Sequence, residues 1–138
     1  METAVGDFDN DGDMDLFTAE IHSLDGAFAD NRYYRNGGSA FTSNLATFAG
    51  VEAGAWGWSA SHRDLNNDRW LDIAHLNGFY FDCFAPGPCA GTCDHISIPQ
   101  SWTGTPPAIF LSTGPGPTGD PQFLDQTAAM GLAVPGEG

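Results

Sequence analysis

Positive charge is scarce in this chain. Its 138 residues carry four Lys and Arg against 18 Asp and Glu, a formal net charge of −14. A nucleic-acid binder needs a basic footprint to displace counterions, so that class of partner is excluded. Long apolar runs are also missing, and nothing approaches the roughly 18 consecutive apolar residues of a spanning helix, which excludes helical membrane insertion. No N-x-[ST] sequon occurs, so N-glycans are not expected. Cysteine is confined to Cys83, Cys89 and Cys93, inside a Pro- and Gly-rich stretch that reads as a stapled extracellular loop rather than a cytosolic redox pair. What the chain does contain is 41% hydrophobic and 12% aromatic residues, enough to fold. Eighteen Gly and nine Pro predict short strands joined by turns, an all-β fold.

The strands recur. Asp7 to Asp15 reads DFDNDGDMD, and 57 residues later Asp64 to Asp72 reads DLNNDRWLD. Each precedes a strand-like run, LFTAE or IAHLN. Further on, Tyr33 to Gly38 followed by Phe41 matches Ile109 to Gly114 followed by Phe123. Gly50 to Gly57 aligns without a gap on Gly131 to Gly138, and Trp58 onward aligns on Met1 onward. The chain therefore divides into a first repeat, 1–57, and a second, 58–138, each expected to hold four short antiparallel strands. In the first these lie near Thr3 to Asp7, Met14 to Glu20, Arg32 to Asn36 and Ala40 to Ser43. In the second they lie near Ser59 to Asp64, Leu71 to Asn77, Ala108 to Ser112 and Gln122 to Asp125. Residues 81–107 form a Cys-, Pro- and Gly-rich insertion, a loop on which function is easily added.

Carboxylates at positions 1, 3, 5 and 9 of a nine-residue loop suit a hard cation that takes six to eight oxygens in irregular geometry. In the first loop these are Asp7, Asp9, Asp11 and Asp15, with the carbonyl of Asp13 at position 7. Gly12 allows the sharp turn. The second loop offers Asp64, Asn66, Asp68 and Asp72 with the carbonyl of Trp70. One carboxylate is replaced by Asn66, and Arg69 stands where Gly would be, so weaker binding is expected there. An EF-hand is rejected by position 12, which is Thr18 in one loop and His75 in the other where Glu is required. Magnesium, which prefers a tight octahedron with retained waters, suits the loops less well than calcium.

GDFDNDGDMDLF, RYYRNGGSAF, DLNNDRWLDI and FLDQTAAMGL together resemble the FG-GAP/VCBS-type repeats of calcium-binding β-propellers, also used in integrin α-chain heads. The resemblance covers the chain outside the insertion. It implies two four-stranded antiparallel propeller-like blades, with calcium held between the first two strands of each, in an extracellular or cell-surface protein that binds or scaffolds. The implied ligands are Asp7, Asp9, Asp11, Asp13 and Asp15, then Asp64, Asn66, Asp68, Trp70 and Asp72. In that compartment one intramolecular disulfide is expected among Cys83, Cys89 and Cys93, the pairing left open; a zinc site of these three with His95 fits the usual spacing poorly.

A propeller closes with about four to eight blades and this chain has two, so uncovered sheet faces are expected to associate. Head-to-tail self-association as a filament or ring is one expectation, and further repeats of a longer chain the other. A protein or glycan ligand is compatible with either. No catalytic arrangement is visible: His22, His62 and His75 stand apart without a nucleophile, and aspartates that hold calcium are poor general acids. The expected role is structural or adhesive. The alternative is the repeat portion of a larger secreted polysaccharide-acting enzyme or a cell-surface receptor. Trp56, Trp58 and Trp70 are expected to pack between blades, and Trp102 to be exposed.

Overall fold

The computed structural model describes residues 2–20, 30–54, 57–77 and 107–132. Strand alternation builds its first sheet. In β1 (Thr3–Gly6) Ala4 and Gly6 face inward while Thr3 and Val5 face out; in β2 (Asp15–Thr18) Asp15 and Phe17 are buried; in β3 (Arg32–Tyr34) Tyr33 is. These three pair antiparallel in the order β1-β2-β3. After them comes one helical turn, α1 (Ala46–Ala49), closed by Gly50 at φ 80°, a left-handed position that glycine occupies without strain. The second sheet has the antiparallel order β4-β5-β6-β7, from β4 (Gly57–Arg63), β5 (Asp72–Asn77), β6 (Ala108–Pro115) and β7 (Pro121–Asp125).

The registers of the two sheets coincide. Gly6 pairs with Asp15 and Leu16 with Tyr34 in the first; Arg63 pairs with Asp72 and Ile73 with Phe110 in the second. The turn after each sheet is also repeated. Leu45 N–H donates to the Tyr33 carbonyl and Val51 N–H to Ala46, as Gln126 does to Ile109 and Leu132 to Thr127.

The expected fourth strand of the first repeat, Ala40 to Ser43, does not form. A single bridge, Asn36 to Phe41, stands where β7 pairs with β6 in the second sheet. Side chains have taken over the ladder: Arg35 N–H donates to Thr42 Oγ1 and Tyr33 N–H to Asn44 Oδ1, each at 3.0 Å. With these acceptors satisfying the strand's donors, the segment runs beside β3 without a regular strand of its own. The protein is thus all-β, with one three-stranded and one four-stranded sheet and little helix; among the described residues the sheets do not close into a ring.

One apolar cluster joins the two sheets. Phe8, fully buried, meets the ring edges of Tyr33, His62 and Phe123 at centroid distances of 5.8, 5.7 and 6.1 Å. Gly6 completes the close approach, since a Cβ there would lie 2.9 Å from both His62 Cδ2 and Leu71 Cδ1. Polar ties cross the same seam. Arg35 Nη1 donates to Asp120 Oδ1 at 2.9 Å, Gln122 Nε2 to the Phe48 carbonyl at 3.1 Å, and Ser59 bonds with Glu2.

Two of the tryptophan expectations are corrected. Trp58 is 51% exposed, because it follows the inward Gly57 on β4 and alternation turns it out. Trp70 is half-buried against Gly114, within its own sheet. Trp56, Trp102, His22, Cys83, Cys89, Cys93 and His95 lie outside the described residues, and with them the disulfide and zinc readings. No helix among the described residues is long and apolar enough to cross a membrane.

Candidate metal centre

Each aspartate loop is a tight turn between the first two strands of its sheet, and its own carboxylates shape it. Asp7 Oδ1 and Oδ2 accept from the N–H groups of Asp11 and Gly12, both at 3.0 Å, so the first residue of the loop holds its tip. Asp9 Oδ1 also accepts from Asp11 N–H, at 3.2 Å, and Asp11 Oδ1 from Asp13 N–H at 2.9 Å. The second loop repeats every one of these bonds. Asp64 accepts from Asp68 and Arg69 at 3.1 and 2.9 Å, Asn66 from Asp68 at 3.1 Å, and Asp68 from Trp70 at 2.8 Å.

Backbone conformation follows the same pattern. Asn10 and Asn67 sit at φ 58° and 61°, Gly12 and Arg69 at 96° and 78°. Arg69 therefore keeps the turn that Gly12 makes, at the steric cost a side chain meets in the left-handed region. The two tips are joined, since Asn10 Nδ2 donates to the Arg69 carbonyl at 3.2 Å.

The ninth residue anchors each loop to the sheet. Asp15 is fully buried; its Oδ2 accepts from Phe8 N–H at 3.0 Å and from the Tyr33 hydroxyl at 3.0 Å, and its Oδ1 from Asn36 N–H at 2.8 Å. Asp72, equally buried, accepts from Leu65 N–H at 2.7 Å and Ser112 N–H at 2.8 Å. Tyr33 and Asn36 were not among the residues expected at the site. The signal was in RYYRNGG, whose third-strand position beside Asp15 appears only once the strands are paired.

In the first loop the folding brings carboxylate oxygens of Asp7, Asp9 and Asp15 within 4.8 Å of one another. Asp11 and Asp13 lie outside that group. The set Asp64, Asn66, Asp68, Trp70 and Asp72 makes the same turn, but no comparable group of three acids forms there among the described residues. Instead Asn66 Nδ2 donates to Asp68 Oδ2 at 2.8 Å.

Crowding and burial change the acids. Asp9, its side chain 5% exposed, is pushed up to about 6 by burial first and by the negative charge of Asp15 second, with Arg35 opposing. Asp15 is raised by burial, against the two N–H donors and the Tyr33 hydroxyl that favour its charged form. Tyr33 is held well above the usual phenol range by burial and then by Asp15, so it remains a donor. An oxygen-only set whose members resist being charged together is suited to a hard cation, which would remove that resistance.

The family model for the FG-GAP-like repeat matches residues 7–75. The chain belongs to the FG-GAP-like repeat family. The match opens on Asp7 and takes in both aspartate loops, so the sequence features of the FG-GAP-like repeat and the duplicated hydrogen-bond pattern coincide in this protein. No curated protein and no solved structure matches the chain.

Proposed function

We propose that this FG-GAP-like repeat protein is a non-catalytic calcium-binding module of an extracellular or cell-surface protein, with a structural or adhesive role. The observation that carries the reading is the convergence of Asp7, Asp9 and Asp15. An ionised carboxylate has about four acceptor sites; Asp15 uses three on Phe8, Tyr33 and Asn36 and keeps one for a cation. Asp11 and the Asp13 carbonyl would complete the set in the first loop. Asp64, Asn66, Asp68, Asp72 and the Trp70 carbonyl would hold a second, weaker ion. Bound calcium would offset part of the loop's negative charge and fasten β1 to β2, so the metal would stiffen the repeat rather than take part in a reaction. The extracellular placement rests on the usual setting of FG-GAP repeats.

Titration calorimetry of chelator-treated protein with calcium, and separately with magnesium, tests this. Calcium should bind at two sites of unequal affinity, more tightly than magnesium, and should stabilise the fold by about 2.7 kcal/mol at a hundredfold excess over Kd. No binding heat and no change in melting temperature on adding calcium would overturn it.

A further inference from the structure

Seven of the ten large apolar side chains that the described residues expose occupy positions whose counterparts in the other repeat are at the seam or buried beside it. On the first repeat, Val5, Met14 and Phe41 are 47, 56 and 49% exposed. Their counterparts by register are His62, Leu71 and Phe123, which pack on Phe8, Gly6 and Tyr33 across the seam. On the second repeat, Leu65, Met130 and Leu132 are 40, 45 and 41% exposed, while their counterparts Phe8, Ala49 and Val51 are at most 1% exposed. Leu76, 48% exposed, likewise answers to the fully buried Ala19.

Each repeat thus has a donor face and an acceptor face, of which the seam joins one pair and, among the described residues, leaves the other pair open. We propose that these two open faces dock on each other between copies of this chain, head to tail, in the arrangement of the internal seam but more loosely. The proposal rests on the reading of the chain as a repeat module and adds to it a binding surface and its occupant. Val5, Met14 and Phe41 of one copy would cover Leu65, Met130 and Leu132 of the next. One polar tie carries over as well: Asn67 has the backbone conformation of Asn10, and would donate to the Gly12 carbonyl of the next copy as Asn10 does to Arg69. The Arg35–Asp120 ion pair does not, because Leu111 and Gly38 hold those places, and neither does the close approach at Gly6, because Arg63 stands there and holds the copies further apart. The contact between copies is therefore weaker than the seam, and since it is heterologous it adds copies until their rotation closes a ring or, if it does not close, continues as a filament.

Sedimentation in calcium at 0.15 M salt tests it, using the whole chain and two variants, Val5→Glu with Phe41→Glu and Met130→Glu with Leu132→Glu. All four positions are exposed, and circular dichroism with calcium calorimetry checks that both variants fold and bind as the parent does. The parent should form a concentration-dependent series of oligomers between about 1 and 100 µM, and each variant should weaken association at least about tenfold. Mixed in equal amounts, the two variants should form a dimer and nothing larger, because each retains the face the other lacks. A parent that stays monomeric, a variant that associates as tightly as the parent, or a mixture that stays monomeric would each overturn the proposal. A parent that associates yet binds no calcium would leave the docking intact and remove the metal reading; the converse result would do the opposite.

Discussion

Tyr33 donates its buried hydroxyl to Asp15 Oδ2 at 3.0 Å, while Ile109, at the corresponding place beside Asp72, has no hydroxyl to give. The first loop is therefore fastened by three donors on its last aspartate where the second has two. A hydrogen bond to a buried charged group stabilises more than a neutral one. Tyr33→Phe keeps the ring packed on Phe8 and removes only this bond, so it should cost about 2 kcal/mol in urea denaturation. Unchanged stability in chelator would show that the hydroxyl carries no load.

Arg69 holds φ 78° in the place Gly12 holds at 96°. Arg69→Gly removes a Cβ from that left-handed position and leaves the carbonyl that Asn10 uses, so it should raise stability by about 1 kcal/mol. A thermal melt beside the parent reads the difference, and a lower melting temperature would contradict the account.

Asn66 replaces the carboxylate that Asp9 supplies in the first loop, and donates to Asp68. Asn66→Asp should tighten calcium at the second loop about tenfold, since charge count tunes such sites. The same change should weaken the metal-free fold, by placing two negative groups where a hydrogen bond was. Calorimetric titration that found the second affinity unaltered would count against the assignment of that loop.

His75 is fully buried between Phe17 and Phe110, with both ring nitrogens unpartnered among the described residues, and burial lowers it to about 4. The unfolded chain takes up this proton near the ordinary value of about 6.5 while the fold resists it. Stability from the neutral imidazole is therefore complete above about 6.5 and drains away as pH falls toward 4, by about 3 kcal/mol over that window. His75→Leu should flatten this part of the profile. The comparison is made in chelator, where acids of the loops titrate alike in both proteins, and identical slopes would refute it.

Much of the site was legible before any strand was paired, and for a local reason. A nine-residue turn draws its shape from its own side chains, so the placing of Asp7, Asp9, Asp11, Gly12 and their counterparts in the second loop foretold two sharp acidic turns. Their oxygens were read as cation ligands, however, and the bonds to the loops' own N–H groups that curl both tips were not foreseen. The sheet registers were likewise foreshadowed, by the match of Asn36 to Ser112 and of Phe41 to Phe123. The missing fourth strand was not. Whether Thr42 and Asn44 point their oxygens at β3 depends on how the chain passes it, which alternation alone does not encode.

What the sequence determined by itself was the chemistry: a doubled acidic turn, strands of period two and a chain with too little positive charge for nucleic acid. The tertiary structure decided which groups work together. It drew Asp7, Asp9 and Asp15 into one cluster, set Tyr33 and Asn36 behind them, buried His75 and turned Trp58 outward. Those outcomes depend on residues brought together from distant parts of the chain, Phe8 against His62 and Phe123, Phe17 against His75. Local propensity acts over a few residues, and burial is settled only by what the second sheet places against the first.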